Sequence, residues 1–239
     1  MNAWISLGPK MRTIVHGTEA SNKAMSSIEK SQTLANWRWT CLLVLLLAAM
    51  FQSAALDEND ASELVTVALY ALVFTGTLFA AKIARPFRVT GLTLVALWVL
   101  VGTASAFIQA NSAGLFFVAV SVCILVGCLF VTISELARNK DAGLDPIMGA
   151  VFGYILIGVT WSLLYAQIEL ETPGSFNLPG ENRSSSEFIY FSLVTLTSLG
   201  YGDITPARPT PRVLAGLQAA VGTIYIAVFI GRVISRFKD

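Results

Sequence analysis

The chain contains six long apolar stretches that are separated by polar segments. These stretches are residues 39–56, 64–81, 90–110, 113–134, 147–168 and 212–234. An α-helix needs about 20 apolar residues to cross the roughly 30 Å hydrocarbon layer of a bilayer. The first four stretches contain no Asp, Glu, Lys, Arg or His. The sequence therefore predicts an all-α integral membrane protein with six transmembrane helices.

The composition agrees with this class, since only 13% of the residues are charged, against about a quarter in soluble domains.

The first stretch has an alternative interpretation. Residues 41–51 are short enough for the core of a signal peptide, and residues 53–55 resemble a small-residue cleavage site. The polar region before them is long for a signal peptide, so we favour a retained helix.

Lys and Arg near the ends of transmembrane helices stay on the cytoplasmic side. Alternate loops of the six-helix arrangement hold 13 of the 16 Lys and Arg residues. These are Lys10, Arg12, Lys23, Lys30, Arg38, Lys82, Arg85, Arg88, Arg138, Lys140, Arg232, Arg236 and Lys238. The other three, Arg183, Arg208 and Arg212, lie between the fifth and sixth stretches or at the start of the sixth. Both termini are therefore predicted to be cytoplasmic.

Residues 195–203 form the motif Thr-Leu-Thr-Ser-Leu-Gly-Tyr-Gly-Asp. A dehydrated cation needs oxygens in place of its water shell, so consecutive carbonyls must face one axis. Such a run requires alternating backbone hands, and Gly200 and Gly202 take positive φ without steric cost. Upstream, Ser184 and Glu187 have the spacing of a capping box, so we expect a helix whose negative end faces the cation. A surface or re-entrant loop without an ion remains the alternative.

The motif resembles the selectivity filter of potassium channels, whose consensus is TVGYG. The implied ion-binding residues are Thr197, Ser198, Leu199, Gly200, Tyr201 and Gly202. The implied K⁺ ligands are the backbone carbonyls of Ser198, Leu199, Gly200 and Tyr201, with a hydroxyl from Ser198 at the inner end. The Tyr201 ring would pack outward against the pore helix, and Asp203 would lie at the outer mouth.

Because the motif occurs once, a closed ring needs several copies of the chain, and the resemblance implies a homotetramer. We therefore expect the chain to divide into a cytoplasmic tail 1–38, a four-helix region 39–134, a pore domain 147–234 and a short tail 235–239. The pore domain would contain an outer helix, the pore helix, the filter and an inner helix.

Two residues depart from the family pattern. Ser198 stands where Thr is common, and it keeps the hydroxyl oxygen. Leu199 stands where Val or Ile is common, and a γ-branched side chain stiffens the backbone less than a β-branched one. A weakly selective cation channel therefore stays open as an alternative to a K⁺-selective one.

Gly222 lies in the last apolar stretch, at the position where the family has a gating hinge. A small residue that lets two helices pack closely is an equally good interpretation. If Gly222 is the hinge, helical spacing turns Thr223, Ile226 and Ile230 toward the cavity.

Acidic residues of the outer segment allow two interpretations. Glu169, Glu171 and Glu181 either concentrate cations near Asp203 or are solvated loop acids, and we favour the second interpretation.

Residues 113–134 contain no Arg or Lys, so we expect little intrinsic voltage dependence.

The sequence shows no nucleotide-binding loop, no cluster of metal ligands and no nucleophile with a base. We therefore expect no enzyme, no cofactor apart from K⁺ as the permeant ion, and no nucleic-acid partner. Expected partners are copies of the chain and membrane lipid in the cell membrane, with room for a regulatory partner. A non-conducting membrane sensor or assembly protein with a channel-like fold is the alternative from a different class.

Overall fold

The computed structural model of the protein describes residues 37–55, 60–81, 83–107, 111–138, 144–178, 185–231 and 235. The chain divides into two compact units, Met1–Arg38 and Trp39–Asp239. Of the first unit, only Trp37 and Arg38 are described. Predictions for the cytoplasmic tail 1–36 and for Ser184 and Glu181 therefore lie outside the described residues.

The described part of the chain is largely helical. Its elements are α1 Arg38–Ala55, α2 Asp60–Ala80, α3 Arg85–Phe107, α4 Asn111–Arg138, α5 Leu144–Glu171, β1 Phe176–Asn177, α6 Ser185–Leu196, β2 Thr205–Pro206 and α7 Pro209–Tyr225, followed by a π-helix Ile226–Ile230. The predicted all-α class is confirmed, with one two-stranded pair added.

Within the described residues, four helical segments are long and apolar enough to cross a membrane. They are Arg85–Thr103, Val118–Arg138, Leu144–Glu171 and Pro209–Ile230. The described apolar parts of α1 and α2, Arg38–Gln52 and Leu64–Ala80, are shorter. All six predicted stretches fall on helices, and crossing by α1 and α2 stays a prediction.

Helices α1 to α4 pack with α5 around one apolar core. Its largest buried side chains are Trp39, Leu46, Phe74, Trp98, Leu125, Phe152 and Leu156. The rings of Phe74 and Trp98 meet edge to face at 5.4 Å, and the Trp98 indole donates a 2.7 Å hydrogen bond to Ser121 Oγ. At the start of α1, the Trp39 amide donates to Asp145 Oδ1 on α5 at 2.9 Å. The start of α1 is thus hydrogen-bonded to the start of α5.

The turn after α5 is organised by a buried carboxylate. Glu169 is 2% exposed and accepts hydrogen bonds from the amides of Gly174, Ser175 and Phe176 at 2.8 to 3.1 Å. The interpretation of Glu169 as a solvated loop acid is therefore wrong. The chain reverses here and three amides converge, and the two carboxylate oxygens of Glu169 accept from all three.

This turn leads into β1, which pairs antiparallel with β2 so that Phe176 lies opposite Pro206. The pair brings the segment after residues 195–203 back beside the turn that follows α5. Glu171, by contrast, is exposed and accepts a hydrogen bond only from Gln167 among the described contacts.

Candidate functional site

The backbone of residues 197–203 alternates in hand. Positive φ occurs at Ser198 (57°), Gly200 (59°) and Gly202 (82°), and not at the residues between them. An alternation with this period turns successive carbonyls toward one side, as the filter motif requires. The two glycines adopt it freely. Ser198 was not expected to share it.

The left-handed conformation of Ser198 costs roughly 1–2 kcal/mol because of its Cβ. Hydrogen bonds from the end of α6 hold it in place. The Ser198 amide donates to the Thr195 carbonyl at 3.0 Å, and the Leu199 amide donates to the Val194 carbonyl at 2.9 Å. The Thr197 hydroxyl donates back to the Leu193 carbonyl at 2.8 Å. The inner end of the motif is therefore built on the last turn of α6.

The outer end of the motif is fixed to α6 by two aromatic residues. Tyr201 lies parallel to Tyr190 of α6, with ring centroids 6.4 Å apart, so its ring packs against α6. The Tyr190 hydroxyl donates a 2.6 Å hydrogen bond to Asp203 Oδ2. This bond raises the pKa of Tyr190 to about 12 and lowers the pKa of Asp203 below its ordinary value. Sequence analysis missed Tyr190, because no local spacing pairs it with Asp203.

Three helices meet where α6 ends. The Leu196 carbonyl accepts a 3.0 Å hydrogen bond from the Tyr154 hydroxyl of α5. On the other side, a Cβ added at Gly222 of α7 would overlap this carbonyl oxygen. Helix α7 runs through Gly222 without a break, and the departure from α-helical geometry begins at Ile226. The close contact favours the packing interpretation of Gly222 over the hinge.

The predicted cavity residues separate into two groups. Thr223 and Ile226 are exposed in the single chain. Ile230 is partly buried and packs against Leu136 of α4 and Ala150 of α5, so it differs from the other two in the single chain, and its place in the cavity stays a prediction. The prediction assumed α-helical spacing. In a π-helix the hydrogen bonds join residues i and i+5, so the residues that follow are rotated relative to an α-helix.

A buried polar group that the sequence analysis passed over lies behind the motif. Gln218 of α7, Ser192 of α6 and Tyr165 of α5 are each 0% exposed and are hydrogen-bonded to one another. The available signal was Gln218 itself, an amide inside an apolar stretch, where a polar side chain needs a partner.

Comparison with known proteins supports the pore assignment. Residues 149–239 match the family model described as "Ion channel". The chain is 30% identical over 90 residues to two pore potassium channel c of Oryza sativa subsp. japonica, a match that covers 37% of this chain and 18% of that protein. It is 37% identical over 46 residues to two-pore potassium channel 4 of Arabidopsis thaliana, with 19% and 16% covered.

A third relative is potassium voltage-gated channel protein shk-1 of Caenorhabditis elegans, 37% identical over 49 residues that cover 20% of this chain and 9% of that protein. The chain thus spans less than a fifth of the length of each of these relatives. No solved structure gives a significant match.

Over the segment 149–239, these matches support the resemblance to the potassium channel pore-domain family that the motif predicted. They are matches to channels and not to enzymes. Together with the long apolar helices, they identify a multi-pass membrane protein.

Proposed function

We propose that the protein is a potassium-selective channel that conducts K⁺ passively through a ring of four copies of residues 197–202. The observation that carries this proposal is the alternating backbone hand at Ser198, Gly200 and Gly202. It supports a row of carbonyl oxygens from Ser198, Leu199, Gly200 and Tyr201 as the K⁺ ligands. Asp203 then lies at the outer mouth.

Exposure in the single chain supports the tetramer. The filter residues are exposed, and Leu199 and Tyr201 are 55% and 68% accessible. One face of α7 is also apolar and exposed, at spacings of three and four residues. Its members are Val213, Leu217, Val221 and Ile224. One filter strand cannot surround an ion, and closed cyclic symmetry would cover both surfaces in the same assembly.

The proposed channel lies in the cell membrane with both termini cytoplasmic and the filter opening outward, in keeping with the distribution of Lys and Arg. It is not intrinsically voltage-gated. Stretch 113–134 lacks basic residues, and buried residues of α4, such as Leu125 and Leu136, pack it into the apolar cores beside α5. A sensor that moves through the field would have to break this packing.

The test is flux of K⁺ against Na⁺ into liposomes that contain the purified protein. We expect barium-sensitive K⁺ flux above Na⁺ flux, and none in Gly200→Asp or Gly202→Asp variants. Equal flux of both ions would support the weakly selective channel that Leu199 leaves open. An absence of flux at every voltage and pH tested would refute the proposal in favour of a non-conducting protein.

A further inference from the structure

Gln218 connects three helices of the pore domain through its amide group. The Nε2 atom donates to the Ser192 carbonyl at 3.0 Å and to Ser192 Oγ at 2.7 Å. The Oε1 atom accepts a 2.7 Å hydrogen bond from the Tyr165 hydroxyl. Ser192 Oγ in turn donates to the Gly158 carbonyl at 2.6 Å. The Nε2 donors and the Oε1 acceptor of Gln218 are therefore all hydrogen-bonded.

The apolar surroundings of this network favour one register of α7 against α6. Tyr165 belongs to an aromatic cluster with Phe176, Phe188 and Phe191, so the network borders apolar rings on that side. An unpaired amide in such surroundings costs several kcal/mol. Hydrogen bonds weaken quickly when their atoms separate, so a small sliding of α7 along α6 would break several bonds at once.

The network lies directly behind the filter. Ser192 lies near the end of α6, which ends at Leu196. Two residues after Ser192, the Val194 carbonyl accepts a hydrogen bond from the Leu199 amide. A displacement of Ser192 would therefore move the first residues of the filter. Gln218 itself has no exposed surface in the chain and does not face the ion path.

We propose that Gln218 is a positioning residue for ion selectivity. It holds α6 at the distance from α7 at which the filter ring fits K⁺. The inference rests on the proposed channel function. Its physical basis is that K⁺ and Na⁺ differ in size, so a ring that widens or loosens loses discrimination before it loses conduction.

The experiment compares Gln218→Leu with the wild type and with Gln167→Leu. Gln167 is a matched control, because its amide pairs only with the exposed Glu171 among the described contacts. We expect Gln218→Leu to lower the K⁺/Na⁺ flux ratio about fivefold, the equivalent of about one net hydrogen bond, and Gln167→Leu to leave the ratio unchanged.

A double variant separates positioning from stability. Gln218→Leu leaves the Tyr165 hydroxyl buried without the acceptor it now uses, which destabilises the tetramer. Adding Tyr165→Phe removes that hydroxyl, so the melting temperature should recover toward the wild-type value. The flux ratio should stay low, because nothing on α7 then donates to Ser192.

The outcomes are distinct. If wild-type protein shows no K⁺-selective flux, the proposed function fails and the inference fails with it. If the wild type is selective and the double variant is equally selective, the proposed function stands and the inference is overturned. Recovery of selectivity together with stability would also overturn it, since Gln218 would then be a purely structural residue.

Discussion

The hydroxyl of Tyr190 donates to Oδ2 of Asp203 at 2.6 Å, and Oδ1 of the same carboxylate accepts the Ile204 amide at 3.0 Å. Ile204 is buried in the aromatic cluster between α5 and α6. Asp203 therefore joins the end of the motif 195–203 both to α6 and to the segment that returns toward β2. These two contacts hold the last residues of the motif in the single chain.

Replacing Tyr190 by Phe keeps the aromatic ring against Tyr201 and removes the hydrogen bond to Asp203. We expect K⁺ flux to begin normally and to decline with time, because the outer filter then reaches non-conducting conformations more often. Time-resolved K⁺ efflux from liposomes measures this. A decay identical to that of the wild type would show that the Ile204 amide alone is sufficient.

The same hydrogen bond predicts a wide pH range of stability. Asp203 has a lowered pKa, so its contribution is present above the ordinary aspartate pKa of about 3.9 and is lost as the pH falls through the lower folded value. Tyr190 has a pKa raised to about 12, so its contribution is complete below about 10 and is lost as the pH rises through about 12.

Thermal melting of the tetramer against pH tests this range. We expect the wild type to show a constant contribution from this pair, with no pH dependence, between about pH 5 and 9. In Tyr190→Phe the pKa of Asp203 should move back toward the ordinary value, so the loss of stability at low pH should be smaller than in the wild type. An unchanged acid limb would contradict the assigned cause of the shift.

Gly222→Ala should disturb the end of the pore helix. The added Cβ would overlap the Leu196 carbonyl oxygen, a backbone atom that cannot rotate away. We expect a loss of about 1–3 kcal/mol in stability, read as a lower melting temperature, together with lower K⁺ flux. Gly127→Ala is the control, because a Cβ there meets nothing within 4 Å. Equal behaviour of the two variants would favour the hinge interpretation of Gly222.

Glu169→Ala should destabilise the turn before β1. It leaves the amides of Gly174, Ser175 and Phe176 without their present acceptor, and each unpaired buried amide costs about 1–3 kcal/mol. Hydrogen exchange at residues 174–177 should increase strongly. Glu171→Ala, which alters an exposed carboxylate near the same helix end, should leave exchange there unchanged. Similar exchange in both variants would argue against the structural role of Glu169.

Two substitutions at Ser198 separate its hydroxyl from its backbone conformation. Ser198→Ala and Ser198→Gly both remove the hydroxyl, so both should weaken K⁺ binding at the inner end of the filter. Only glycine relieves the left-handed strain, which is worth roughly 1–2 kcal/mol. The glycine variant should therefore melt at a higher temperature than the alanine variant. The reverse order would show that φ at Ser198 is not positive in the assembled tetramer.

Several features could be predicted from the sequence because they depend on short segments. Each apolar stretch predicted a helix that the structure contains. The motif at 195–203 indicated both the family and the positive φ of its two glycines. The cavity placement of Ile230 assumed α-helical spacing through residues 226–230, where the chain forms a π-helix instead. The amino-acid types there gave no signal of that change.

The membrane class and the positive φ of Gly200 and Gly202 follow from the sequence, since hydrophobic length and the conformational freedom of glycine are local properties. The contacts of Glu169, Gln218 and Gly222 depend on the packing of distant segments. Gln218 meets Ser192 across 26 residues and Tyr165 across 53, and Gly222 contacts the end of α6. The physical reason is that hydrogen bonding and close packing depend on which helices meet, and that is fixed by the whole assembly of helices.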